Sequence, residues 1–159
     1  MCPAQLDPDA NVDDHASMRL ALAAGLEAGE RGDVPVGAVA VHQGRVLATA
    51  GNAREQRQDP TAHAELLVVR AAAALLGRWR LDDVTVVVTL EPCAMCAGAL
   101  VNARVERLVI GATDPKAGAV GSRYNLLADP RLNCEVPVMF GVLAKECGEL
   151  LTAFFAARR

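Results

Sequence analysis

Apolar residues recur along this chain in two rhythms, one suited to helices and the other to buried strands. Met18, Leu22 and Leu26 repeat at intervals of four, a stripe that predicts a first helix capped by Asp14 or Ser17, running to about Arg31 and stopped by Gly32. Residues 36–41 (VGAVAV) form a short continuous apolar run, the pattern of a buried strand. Gln43-Gly44 then reads as a hairpin turn and residues 46–50 as the returning strand. Residues 52–61 are polar and include Pro60, which predicts a loop. Thr61 is placed to cap a helix through Leu66, Val69 and Ala73 to about Leu76. Residues 84–89 (VTVVVT) are β-branched throughout and mostly apolar, as a central strand would be. They lead into Glu91-Pro92-Cys93, where proline at a first helical position would open the next helix. Residues 108–110 make another short strand, residues 111–122 a loop, residues 136–140 a last strand, and Leu143 to Ala157 a closing amphipathic helix.

This order of elements predicts an α/β fold of three layers, a mixed sheet of about five strands with helices on both faces. Residues 1–15 hold Pro3, Pro8 and four aspartates with little apolar content. They read as a flexible N-terminal tail ahead of one domain over residues 16–159. With 52 % hydrophobic and 22 % charged residues, the balance is that of an ordinary globular domain. The net charge of −3 does not advertise a nucleic-acid binder, nor does it exclude one, because the local field decides. Five cysteines form no evenly spaced framework, which fits a reducing compartment. No signal-like segment or membrane-length apolar stretch is visible, so a cytoplasmic protein is expected, with no membrane partner.

The candidate chemistry lies in His63-Ala64-Glu65 and in Pro92-Cys93-Ala94-Met95-Cys96. His63, Cys93 and Cys96 are three good zinc ligands, and three is the number a catalytic zinc uses when it keeps one position for water. Cysteines three apart at a helix start face the same way, and the positive helix end favours the thiolate that binds metal. Zinc there would bring the pKa of its water to about 7. Glu65 would be a carboxylate beside the metal, free to move protons. The geometry makes one demand. Residues two apart on a helix point roughly 200° apart, so His63 must sit at the very start of its helix. Taken singly, the features have plainer readings. Cys93 and Cys96 alone could be a redox dithiol or two inert core cysteines, His63 a structural histidine and Glu65 a solvated helix charge. His42 reads as surface and His15 as part of the tail, while Cys134 and Cys147 read as buried or incidental.

At these residues the chain resembles the cytidine-deaminase-like superfamily, whose signature has the same two halves in the same order. It is most similar to the bacterial tRNA-specific adenosine deaminases. The likeness runs from about Met18 to Arg159 and rests on residues 34–38 (VPVGA), 59–65 (DPTAHAE), 89–99 (TLEPCAMCAGA), 111–119 (GATDPKAGA) and the terminal Phe154-Phe155 with Arg158-Arg159. The resemblance implies a cytidine-deaminase-like fold and hydrolysis of the wobble adenosine of a tRNA anticodon to inosine. A zinc-bound hydroxide would attack the amine-bearing ring carbon, with one Zn2+ per chain on His63, Cys93 and Cys96 and Glu65 as proton shuttle. It further implies a homodimer on the anticodon stem-loop. Asn52 and the Ala64 backbone would hold the base, and Asp114, Lys116, Phe155, Arg158 and Arg159 would lie along the RNA. The chain departs from the family pattern at Cys134, where a histidine is frequent, at Asp33, where glutamate is, and at Ala156-Ala157. Two other readings stand beside this one: a deaminase of a free guanine- or cytosine-type base or nucleoside, and a non-enzymatic zinc-stabilised binding protein, which would need a fourth protein ligand.

Overall fold

The first helix, α1, spans Asp14–Glu30 in a computed structural model that describes residues 13–159. The expected tail lies outside the described residues as far as residue 12, and its last three residues belong to the helix start. Asp13 is the cap, accepting a hydrogen bond from the Ala16 N–H at 2.7 Å, and His15 is helical. Asp14, expected as the cap, instead faces Arg107, whose guanidinium donates to both of its carboxylate oxygens at 2.8 and 2.6 Å. Ser17, the other expected cap, is buried within the helix.

Strands β1 (Gly37–His42) and β2 (Arg45–Gly51) form the expected hairpin, turning through Gln43 and Gly44, both at positive φ. The segment after it, read as loop, contains a one-turn helix, α2 (Arg54–Arg57). Its leading amides, on Glu55 and Gln56, donate to the Asp33 carboxylate at 2.9 and 3.3 Å. A helix capped from 22 residues away carries no local cap signal. Then come α3 (Ala64–Leu76), β3 (Val84–Leu90), α4 (Ala94–Ala103), β4 (Arg107–Ala112), a 3-10 turn at Leu126–Ala128, β5 (Val138–Phe140) and α5 (Ala144–Ala156).

The sheet order is β2-β1-β3-β4-β5. β1 runs antiparallel to β2 and β3, while β3, β4 and β5 are parallel. Strand alternation sends successive side chains to opposite faces, and here it builds two cores. Ala38, Ala40, Val86, Val88, Leu108 and Ile110 pack with Val68 and Ala72 of α3 and Leu100 of α4. Val39, Val41, Val87 and Val109 pack on the other face with Met18 and Ala21 of α1 and Cys147 of α5. Both faces being covered explains why β3 reads as a β-branched, mostly apolar run without the polar alternation of a half-exposed strand. His42, expected at the surface, is partly buried, and its Nε2 lies 3.0 Å from Asp83.

Helix α1 crosses β1 with the two backbones in contact. A Cβ on Gly37 would fall on the carbonyl oxygen of Ala21 and within 2.6 Å of the Gly25 nitrogen. Neither neighbour is a flexible side chain that could yield. Gly37→Ala is therefore expected to destabilise the fold at or above the upper end of the ~1–3 kcal/mol typical of overpacking. Chemical denaturation checks this as a lower midpoint at unchanged slope.

Candidate metal centre and active site

Two helix starts meet at the carboxyl end of β3, and each places a ligand-type residue at its N-cap. His63 has φ −80° and ψ 147°, extended and just outside α3, which meets the one demand the sequence made of it. Glu65 is then the second residue of the helix and can turn to the same centre. Cys93 is the N-cap of α4 with φ −71° and ψ 173°. Pro92 thus precedes the cap and does not open the helix as its first residue. Cys96 follows three residues later and is fully buried.

The His63 side chain turns to the sulfurs, so it does not cap its own helix. That task falls to Asn52, whose Oδ1 accepts the Ala64 N–H at 2.9 Å. Thr61, expected as the cap, donates to Asp59 through both its N–H and its hydroxyl at 2.8 Å. Asn52 is buried, and its amide nitrogen remains as the donor it can offer a base. Of the Ala64 backbone, expected to help hold a base, the N–H is the group that Asn52 engages.

His63 Nδ1 lies 3.7 Å from Cys93 Sγ and 3.5 Å from Cys96 Sγ, and all three donor atoms lie within 4.8 Å of one another. Tetrahedral zinc with a nitrogen arm of about 2.05 Å and a sulfur arm of about 2.3 Å needs a nitrogen–sulfur edge of about 3.6 Å. The spacing and the donor set therefore fit a metal ion. No fourth histidine, cysteine or acid joins this group among the described residues. Glu65 is buried at 4 % exposure, and its Oε2 is without a hydrogen-bond partner.

The electrostatics follow from this crowding. Burial pushes the Glu65 carboxyl up to about 7. The Cys96 thiol and then His63 pull Cys93 down to about 3. Cys96 is pushed far up by Cys93 and by burial. The Cys93 sulfur beside His63 raises the imidazole above its usual range. A divalent cation among these groups would favour both thiolates and the ionised carboxylate together.

A groove of about 690 Å³ is lined by Asp114, Lys116, Phe155 and Arg159 together with Val34 and Leu151. Four of the five residues expected along RNA are thus gathered in one place. Asp114 folds its carboxylate onto the N–H groups of Lys116 and Ala117 at 2.9 and 3.2 Å, so it shapes the loop. Arg158 lies apart, its guanidinium 3.5 Å from the centre of the Phe154 ring. It faces a smaller cavity with Asn52 and Arg54. Two buried acids to which the sequence assigns no role are Asp33, which caps α2, and Glu91. The signal for Glu91 was an acid directly after a buried, β-branched strand. Burial alone would raise its carboxyl, but hydrogen bonds from Ser122 and from three backbone amides outweigh that and hold it below the usual range.

Residues 12–159 match the family of MafB19-like deaminases. The chain is 49 % identical over 146 residues to the tRNA-specific adenosine deaminase of Bacillus subtilis (strain 168), covering 92 % of this chain and 91 % of that one. It superposes with a TM-score of 0.83 and 46 % identity on a structure from a study of A-to-I editing by tRNA:A34 deaminases at the wobble position of transfer RNA, over 85 % of this chain and 98 % of the other. A guanine deaminase from Bacillus subtilis is more distant, at 28 % identity and a TM-score of 0.63 over 92 % of this chain and 94 % of that one. With sequence, fold and the spacing of three metal-type donors in agreement, the chain belongs to the deaminase family and, within it, to the tRNA-specific adenosine deaminases.

Proposed function

We propose that this chain hydrolyses adenosine to inosine at the wobble position of a tRNA anticodon. The observation that carries the reading is Glu65, a buried carboxyl with an unpartnered oxygen, two residues from a histidine that shares a site with two cysteines. Burying a polar group without a partner is costly, and a group kept at that cost beside metal-type donors suits proton transfer.

His63, Cys93 and Cys96 would hold zinc. When bound, zinc supplies Lewis acidity and brings the pKa of water to about 7. Glu65 takes a proton from the attacking water and delivers protons to the ring nitrogen and the departing amine. The carbon–nitrogen bond of the exocyclic amine breaks, oxygen from water takes its place, and ammonia leaves. The burial that raises the Glu65 carboxyl keeps it near the range where it can both accept and give a proton. The Asn52 amide nitrogen and the wall of α3 orient the base. An anticodon loop suits such a site because its bases leave the stack cheaply. The groove of Asp114, Lys116, Phe155 and Arg159 offers an aromatic face and two cations to the neighbouring nucleotides, and Arg158 would reach the RNA from the other side of α5. We assign the chain to the cytoplasm as a homodimer. Among the described residues no helix is long and apolar enough to cross a membrane, and the exposed Met95 beside Cys96 is an apolar side chain that a subunit contact would cover.

Incubation with an anticodon stem-loop is expected to yield inosine, with free guanine and cytosine left unchanged. Binding should weaken steeply as salt rises, and the protein should sediment as a dimer. Turnover of a free base with none on the stem-loop would establish the alternative, and salt-independent affinity would argue against RNA.

A further inference from the structure

Glu91 sits between β3 and the metal helix, and no step above uses it. Its side chain is buried at 2 % exposure, and the hydrogen bonds its carboxylate accepts all come from one loop. Oε1 accepts the backbone N–H groups of Val120 and Ser122, both at 3.0 Å. Oε2 accepts the Asp114 N–H at 2.9 Å and the Ser122 hydroxyl. Around this contact the loop has closed completely. A Cβ on Gly118 would fall on the Glu91 carboxyl carbon and within 2.6 Å of the Asp114 carbonyl oxygen. The Pro92 carbonyl accepts the Ala119 N–H at 2.8 Å, and Cys93 and Gly118 form an antiparallel bridge.

We infer that Glu91 is a positioning residue for the substrate: its carboxylate fixes the loop of residues 113–122, and with it Asp114 and Lys116 in the groove, relative to the start of the metal helix. This inference rests on the RNA reading above. Four hydrogen bonds accepted by one side chain, from Asp114 at one end of the loop and from Val120 and Ser122 at the other, hold both ends at once. Glu91 is joined to Cys93 through Pro92 alone, whose φ is locked, so the loop and the metal ligand move as one body. The nucleotides that flank the reacting base are then bound by a groove held in fixed register with the metal site.

Glu91→Gln tests this because an amide cannot serve here in either orientation. Its NH2 must face Asp114 N–H, or else Val120 and Ser122 N–H. With metal content unchanged, kcat/KM on the anticodon stem-loop is expected to fall by up to ~100-fold, chiefly through KM. A short single-stranded RNA carrying the same adenosine, which cannot span the groove, should lose little. Glu91→Asp, still an acceptor only, should recover part of the loss, and Ser122→Ala should give a smaller shift in the same direction. Hydrogen exchange reads the coupling without substrate: the amides of Asp114, Val120 and Ser122 should exchange faster in Glu91→Gln while α4 stays protected. Equal loss on both RNAs, loss of metal, or unchanged protection in the loop would overturn the inference. A wild-type protein inactive on both RNAs would overturn the function and the substrate half of this inference, and exchange would still decide whether Glu91 holds the loop.

Discussion

Glu65→Ala is expected to retain about one zinc ion per chain and to lose turnover by at least the ~10²–10⁴-fold that a positioned general acid–base supplies. The retention follows from the donor set. His63, Cys93 and Cys96 lie within 4.8 Å of one another without help from Glu65. The loss follows because Glu65 is the buried carboxyl that lies against this group, with His63 and Cys96 among the groups acting on it. The same substitution should leave the fold as stable as before or more so. Glu65 is buried with an unpartnered oxygen, and its removal relieves a desolvation cost. Metal analysis, inosine detection and thermal unfolding on one preparation read all three outcomes. A variant that stays active, or that sheds its metal, would remove Glu65 from the role of proton carrier.

Cys93→Ser should lose metal and activity together. The serine hydroxyl stays protonated at neutral pH, whereas the Cys93 thiol is drawn down to about 3 by Cys96 and His63 and is ready to bind as thiolate. Loss of a direct ligand should exceed the ~10–100-fold in affinity that outer partners cost. The near-isosteric change at a half-buried N-cap leaves α4 able to form, so circular dichroism should show native helix content beside an emptied site. Wild-type stoichiometry in this variant would show that two donors suffice and would reopen the count of three. Paired with Glu65→Ala, it separates holding the metal from moving the proton.

The strands and long helices were legible because each is written locally. The β-branched run of residues 84–89 marks β3, and the four-residue apolar spacing of Met18, Leu22 and Leu26 marks α1. The misses share a different cause. The caps of α1 and α3 were misplaced because the residues nearest in sequence had other partners. Asp14 pairs with Arg107 and Thr61 with Asp59. α2 went unread because its cap, Asp33, comes from before the β1–β2 hairpin. Arg158 and Arg159, adjacent in sequence just past the end of α5, face different cavities, a separation that only the folded terminus sets.

The sequence by itself determined the reaction chemistry. Residue type sets what a side chain can ligate or titrate, and the spacings His63-x-Glu65 and Cys93-x-x-Cys96 need only a helix start to bring each half onto one face. Tertiary structure alone decided that both helix starts meet at the end of β3, that Asn52 takes over the cap His63 gives up, and that Glu91 locks the groove loop to the metal helix. Those contacts join residues far apart in the chain, and no local propensity encodes a bond whose two ends meet only after the sheet has formed.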